Sequence, residues 1–430
     1  DASRSDEEST MKKTIFPAIA LLLLTQPLHA QEAARGQAGY ENVPAFGGPE
    51  SVTEQLKRAD ESRDAMYDWP FFDGYFDWKR QINDDYGVSF GLHFYGLYQR
   101  ASDSLPGRDD DALGNIFRFL GNWTLWEKEN GNLGRIEWRV ESRSNWGGFQ
   151  APGSLGGATG IAALAPGFAY SDNFDMDLAV LNWTQGFASG KAGYAVGRLA
   201  FDAYLDAFPF QTFSRGFINR SFILNPTLPT TGIGALGGVV KGFVGDNIWV
   251  GAQIHDANAA SGKFDFDTVQ EGDWLKAVEV GYTPSFGQRK SHLVQLTYWD
   301  KDARSLAGVS SGSGWAVSAA WKLNDTYFPF VRFGHSDGGG GVAAETAVSG
   351  GVEISRPRGE VWTIGAGWAK PSEETFGPGL DNETVLEMSY KFPISKNFSV
   401  LPDAQIIFSP ANNPGRTSIW VIGIRAILTL

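Results

Sequence analysis

Between Arg135 and Arg143 every second residue is charged: Arg135, Glu137, Arg139, Glu141 and Arg143 alternate with Ile136, Trp138, Val140 and Ser142. A period of two places these charges on one face of a β-strand and the apolar residues on the other. Few folds accept such a strand. Facing a dry core, its charged side would carry a heavy desolvation cost. Facing a water-filled lumen, the same side costs little. A sandwich with the charges turned outward is the competing arrangement, and one strand does not separate the two.

The same alternation recurs. Val88, Phe90, Leu92 and Phe94 interleave with Ser89, Gly91, His93 and Tyr95, and Phe117, Phe119 and Trp123 with Arg118, Asn122 and Thr124. Trp420, Ile422, Ile424, Ala426 and Leu428 interleave with Val421, Gly423, Arg425 and Thr429. In all, sixteen segments read as strands: 87–100, 114–127, 132–144, 176–187, 191–202, 232–244, 247–256, 273–284, 291–301, 313–323, 326–336, 344–355, 360–370, 383–392, 397–408 and 417–430.

Their connections alternate between short and long. Lys128 to Gly131, Ala188 to Gly190, Gly245-Asp246, Asn324-Asp325 and Arg356 to Gly359 read as tight turns. Between them lie 101–113, 145–175, 203–231, 257–272, 302–312 and 371–382. Barrels of the outer membrane have short periplasmic turns, long external loops and an even strand count. In lipid only a closed sheet satisfies every backbone group. The expectation is an all-β fold: a sixteen-stranded antiparallel transmembrane β-barrel over 86–430, with inward-folded constriction loops and a short periplasmic N-terminal segment. Sixteen strands leave an aqueous channel. Many of the tryptophans fall near strand ends, where interface girdles belong.

The N-terminal region reads differently. Met11-Lys12-Lys13, the apolar run Ile15–Leu24 and Leu28-His29-Ala30 have the layout of a secretory signal peptide over 11–30. Residues 1–10 are acidic and read as a probable upstream artefact. Residues 31–85 read as a periplasmic leader in which Ser51 and Glu54, at capping-box spacing, open a short helix running to Met66. The aromatic run Asp68–Trp78 reads as a plug packing under a rim.

Composition excludes several classes. There is no Cys, so neither disulfides nor Cys-ligated metal sites can form. A net charge of −13 argues against nucleic acid as a partner. The five His residues show no metal-ligand spacing, and Asp172, Asp175 and Asp177 read as a solvated acidic loop, so no metal or cofactor is expected. Gly308 to Gly312 matches G-x-S-x-G but falls between two strands, away from the strand-to-helix elbow that motif needs. No enzyme activity is expected.

Two features bear on selectivity. Arg118 joins the row Arg135, Glu137, Arg139, Glu141 and Arg143 on the neighbouring strand, and Arg198 projects inward by the same parity. Donors and acceptors in rows suit polyhydroxylated solutes. Loop 203–231 carries Tyr204, Phe208, Phe210, Phe213, Phe217 and Phe222, an unfavourable patch in water. Its expected place is inside the barrel, with Arg215, Asn219, Arg220 and Asn225 facing the passage.

Three stretches resemble the carbohydrate-selective porin family of Gram-negative outer membranes, OprB type: YFDWKRQINDDYGVSFGLHF (75–94), GKAGYAVGRLAFDAYLDAFPFQ (190–211) running into FILNPTLPTTGIGALG (222–237), and the C-terminal strands, including Leu401-Pro402-Asp403-Ala404-Gln405. Within the second, Gly197-Arg198-Leu199 and then Asp202 are similar to the family's pattern. The resemblance covers roughly 70–430 and implies sixteen strands, a constriction made by inward loops, and passive uptake of glucose and similar sugars. It implies a pore surface with Arg and acidic side chains on early strands, matched here by Arg118, Arg139, Glu141 and Arg143. A general, non-selective porin is the alternative, and a surface adhesin or enzyme barrel a more distant one. Outer-membrane lipids, and copies of the chain in a trimer, are the expected partners. The chain ends Leu428-Thr429-Leu430, where barrels of this kind commonly end in an aromatic residue.

Overall fold

The computed structural model of the chain describes residues 47–60, 65–67, 69–128, 132–172, 174–230, 233–259 and 266–430. The upstream stretch, the signal segment and the leader to residue 46 lie outside the described residues.

Sixteen strands form: β1 (Val88–Ala101), β2 (Asp111–Glu127), β3 (Leu133–Asn145), β4 (Phe174–Phe187), β5 (Ala192–Leu199), β6 (Ala235–Val244), β7 (Ile248–Asp256), β8 (Trp274–Tyr282), β9 (His292–Lys301), β10 (Gly312–Trp321), β11 (Tyr327–Ser336), β12 (Ala344–Ser355), β13 (Val361–Pro371), β14 (Glu383–Pro393), β15 (Phe398–Phe408) and β16 (Ser418–Thr429). Each pairs with its sequence neighbours, and β1 pairs antiparallel with β16, from His93 opposite Thr429 to Ala101 opposite Val421, closing the barrel.

The distribution of polarity rules out the sandwich. Val196, Val250, Val278, Val280, Leu296, Val331, Ile364, Leu386, Ile422 and Ile424 point out of the wall and are exposed. Between them Thr297, Arg332, Thr363, Glu387, Gln405 and Arg425 point inward and are buried. An apolar exterior around a polar interior suits a solvent of hydrocarbon outside and water within.

Five α-helices accompany the strands among the described residues, the last of them α5 (Glu373–Phe376) between β13 and β14. Helix α1 (Val52–Asp60) lies inside the barrel, where Val52 and Leu56 pack with Leu120, Val180, Ala195 and Leu199 on the inner wall. Where 31–85 reads as a single periplasmic segment, this part of it occupies the lumen. Among the described residues the helix runs over Val52–Asp60 and Met66 is not helical, and the Ser51 hydroxyl donates to Gly48 O at 2.8 Å. Helix α2 (Asp73–Tyr86) lies outside, against Phe90 on the outer face of β1, so the aromatic run does not plug the barrel. Gly87, at φ +70°, turns the chain from α2 into β1, a conformation a β-carbon would disfavour.

Helices α3 (Leu155–Thr159) and α4 (Arg220–Ile223) belong to two long loops that fold inward. Phe208, Phe210, Phe217 and Phe222 are fully buried against Phe330 and neighbouring inner-wall residues. Each ring contributes roughly 1.5–3 kcal/mol on burial, which favours an inward loop over one lying in water.

Candidate functional site

The inward charges of β2 and β3 come together as the alternation requires. Glu141 sits opposite Arg118 and accepts from its Nε at 2.8 Å and from Arg143 Nε at 2.6 Å, while Arg139 stands 3.2 Å away as an ion pair. Arg135 pairs with Glu137 at 3.1 Å. These groups are nearly all out of bulk water, because α1 covers them. Arg118 Nη1 reaches Glu50 at 2.6 Å and Gln55 at 2.8 Å, and Thr53 Oγ1 donates to Glu137 at 2.8 Å. Lys290, in the β8–β9 turn, pairs with Glu54. The charge ladder is therefore largely a socket for the N-terminal segment, and only part of it borders open space.

Two cavities lie in that open space among the described residues. One, of about 230 Å³, lies toward the short turns and is bordered by Glu54, Arg58, Phe208, Arg215, Lys241 and Lys290, among others. The other, of about 260 Å³, lies toward the long loops, with Arg143, Phe168, Asp202, Thr212, Phe213 and Arg220 in its walls. Between them run residues 47–58 and the stretch from Ala207 to Phe213. Arg58 Nη1 donates to Thr212 Oγ1 at 2.8 Å across this partition.

The remaining expected site residues take different positions. Phe213 lies under the Arg118 guanidinium at 5.0 Å and borders the long-loop cavity. Arg215 borders the other cavity, 3.1 Å from Glu353 and over the rings of Phe210 and Phe328. Arg220 stacks over Phe168 at 4.8 Å, and its Nε and Nη2 have no hydrogen-bond partner. Burial pushes its guanidinium down to about 10. Asp202 shares that cavity, and burial pushes its carboxyl up, partly offset by Arg139.

Three residues depart from their expected positions. Asn219 does not face the passage. It is fully buried, its Oδ1 accepts from Ser221 N at 2.9 Å to cap α4, and its Nδ2 donates to Leu164 O and Gln405 Oε1. Asn225 is likewise buried, donating to Phe333 O at 3.2 Å. Arg198 does not join the inward row. It stands opposite Leu181, which is exposed on the outer wall, and donates to Leu178 O at 2.7 Å. Gly197, at φ +132°, precedes it within an unbroken register.

Several residues that hold the site were not singled out from the sequence. Glu383 accepts from the backbone N–H groups of Ala162, Ala163, Leu164 and Ala411 at 2.7–3.0 Å. Glu387 accepts from Ile218 N and Asn219 N at 2.6 and 3.0 Å. Asp206 receives Gln295, Ser318 and Arg332. These three carboxylates pin both inward loops to the wall. Inward parity marks Glu383, Glu387 and Arg332 as lumen residues, but backbone partners leave no sequence signal. Gly308 to Gly312 runs through a loop into β10, with Ser310 Oγ donating to Glu374 at 3.1 Å, so it is no nucleophile elbow.

Residues 310–430 match the family model described as carbohydrate-selective porin, OprB family. No curated protein matches the chain. Among solved structures, the high-pH structure of Pseudomonas putida OprB is similar with a TM-score of 0.69 and 14% identity, covering 86% of this chain and 99% of that one. A mutant of Rh. blastica porin is similar at a TM-score of 0.49 and 12% identity, covering 79% of this chain and all of that one. The family model that matches 310–430 describes porins, and the barrel shares the fold of OprB. Over its last seven strands, β10 to β16, the chain thus carries the pattern of the carbohydrate-selective porins of the OprB family, on a barrel with the fold of OprB.

Proposed function

We propose that the barrel conducts carbohydrates by passive diffusion, with the long-loop cavity as the chamber in which a sugar is recognised. The observation that carries this is Arg220: a half-buried side chain in the wall of the cavity that also holds Asp202 and Phe213, its guanidinium over the Phe168 ring and its Nε and Nη2 without hydrogen-bond partners. Sugar hydroxyls both donate and accept, so they complement guanidinium and carboxylate together, while aromatic faces take the C–H surface of the ring. A charge set of both signs does not favour one ion, unlike a ring of single sign. From the chamber the path leads past Arg58 and Thr212 into the cavity with Arg215 and Lys241.

Single-channel current in planar bilayers tests this. Added glucose reduces the current in a saturable way, and liposomes swell faster in glucose than in amino acids of matched size. Equal swelling in both, with no block, assigns the barrel as a general porin instead. The barrel performs no chemistry on its solute. A trimer within the lipid is the expected assembly, checked by native mass in detergent.

A further inference from the structure

Among the described residues, 66–67 and 69–86 carry a run of exposed apolar side chains outside the barrel wall. Phe71 is 84% exposed, Tyr67 59%, Tyr86 57%, Trp78 51% and Trp69 50%. Helix α2 is amphipathic: Tyr75, Trp78, Ile82 and Tyr86 fall on one side at 3.6-residue periodicity, and Asp73, Asp77, Arg80 and Asp84 on the other. This segment follows the short-turn rim. Met66 N and Tyr67 N donate to Pro393 O and Ile394 O beside the β14–β15 turn, and Trp123 Nε1 donates to Tyr86 O at the foot of β1 and β2.

The aromatic side of α2 continues the outer wall. Trp78 and Tyr75 lie 5.4 and 6.5 Å from Phe90, Phe90 lies 6.4 Å from Phe119, and Phe119 lies 6.4 Å from Trp138. Lys79 is buried between the rings of Tyr75, Phe76 and Phe90, its ammonium 5.1–5.8 Å from their centres. This chain of rings begins on a face that meets hydrocarbon and ends on a helix whose opposite side is charged. Aromatic residues of this kind concentrate at the headgroup level, and a helix with one apolar and one charged side lies along that plane.

We propose that residues 66–86 form an interfacial anchor, seated in the headgroup and upper acyl layer of the leaflet at the short-turn rim, with phospholipid as the occupant of its exposed face. This rests on the barrel spanning a membrane. Continuity with the lipid-facing wall favours lipid over a second copy of the chain.

The chain has no Cys, so Phe71→Cys, Trp78→Cys and Asp77→Cys each give one site for an environment-sensitive fluorophore. Phe71 is so exposed that its replacement leaves the fold intact. In phosphatidylethanolamine and phosphatidylglycerol vesicles, labels at 71 and 78 shift to the blue. They are quenched severalfold more by shallow spin-labelled lipid than by aqueous iodide, and the label at 77 behaves oppositely. Iodide quenching at 71 equal to that at 77 overturns the anchor. Protection of 71 and 78 from both quenchers overturns it in favour of a protein neighbour. Conductance measured on the same preparation separates the two readings: a conducting barrel with position 71 in water defeats the anchor alone, whereas absence of insertion defeats the membrane channel.

Discussion

Arg58 and Thr212 meet at 2.8 Å although they lie in parts of the chain separated by five strands, and each borders a different cavity. The arginine comes from α1 and the threonine from the inward loop before β6, so this contact joins the two elements that divide the lumen. Arg58 also donates to Pro49 O, which ties the start of its own segment to the same point. Arg58→Ala removes the bridge without touching the wall. The expected result is a severalfold higher single-channel conductance with normal barrel assembly, read in planar bilayers. Unchanged conductance would show that the solute path runs elsewhere.

Arg220 provides the most direct check on recognition. Arg220→Gln keeps a polar group over Phe168 but loses the charge and the fork. A charge-assisted hydrogen bond is worth about 1.5–3 kcal/mol, so the glucose concentration that half-blocks the current should rise by one to two orders of magnitude. The open-channel current in salt should change far less. A variant blocked as easily as the parent would remove Arg220 from the recognition chamber.

The loop carrying α3 depends on one carboxylate. Four backbone N–H groups converge on Glu383, and a Gln side chain has only one acceptor oxygen to offer them. Glu383→Gln should free the 151–172 stretch while leaving the sixteen-stranded sheet intact. Limited proteolysis checks this: new cuts appear within that loop, the heat-modifiable barrel persists on gels, and current noise increases.

Asp202 adds a pH dependence of definite sign. Burial disfavours its anion, so its pKa is raised from 3.8, and it becomes neutral on acidification before exposed carboxylates do. As pH falls through that window, the long-loop cavity loses a negative charge and its balance of signs moves toward favouring anions. Reversal potentials across a KCl gradient should therefore shift toward anions on mild acidification. The shift should be absent from Asp202→Asn, which has the anion-shifted potential at every pH.

The barrel was legible because its rule is local. Alternation along one strand reports which face meets hydrocarbon, and all sixteen expected segments overlap the observed strands, with ends differing by three residues at most. The same rule placed Arg118 and the row from Arg135 to Arg143. Arg198 shares the parity of the outward Val196 and not of the inward Ala195, so the alternation itself takes it out of the inward row. The rule could not place α1, because a nine-residue polar helix has the same pattern in periplasmic water as in a polar lumen. What sets its position is a group of partners such as Arg118 and Glu137, 63 to 84 residues away. Glu383 and Glu387 were visible as inward residues, but their function depends on peptide groups, which any sequence supplies.

Arg118 links the ladder to α1 and gives the sharpest test of that placement. Its guanidinium serves Glu141 on the wall and Glu50 and Gln55 on the N-terminal segment. In Arg118→Gln, Glu141 keeps Arg139 and Arg143, whereas Glu50 loses its charged partner. Removing one member of a buried pair costs about 3–5 kcal/mol, and here the segment can escape that cost by leaving the lumen. The barrel should therefore remain folded while residues 47–60 become accessible to protease from the short-turn side and conductance rises. Arg118→Lys keeps a charge near Glu50 but not the fork that also reaches Gln55 and Glu141, so it should restore the low conductance only in part. If Arg118→Gln instead unfolds the sheet, with loss of the heat-modifiable band, then the ladder supports the wall itself and α1 is secondary to it.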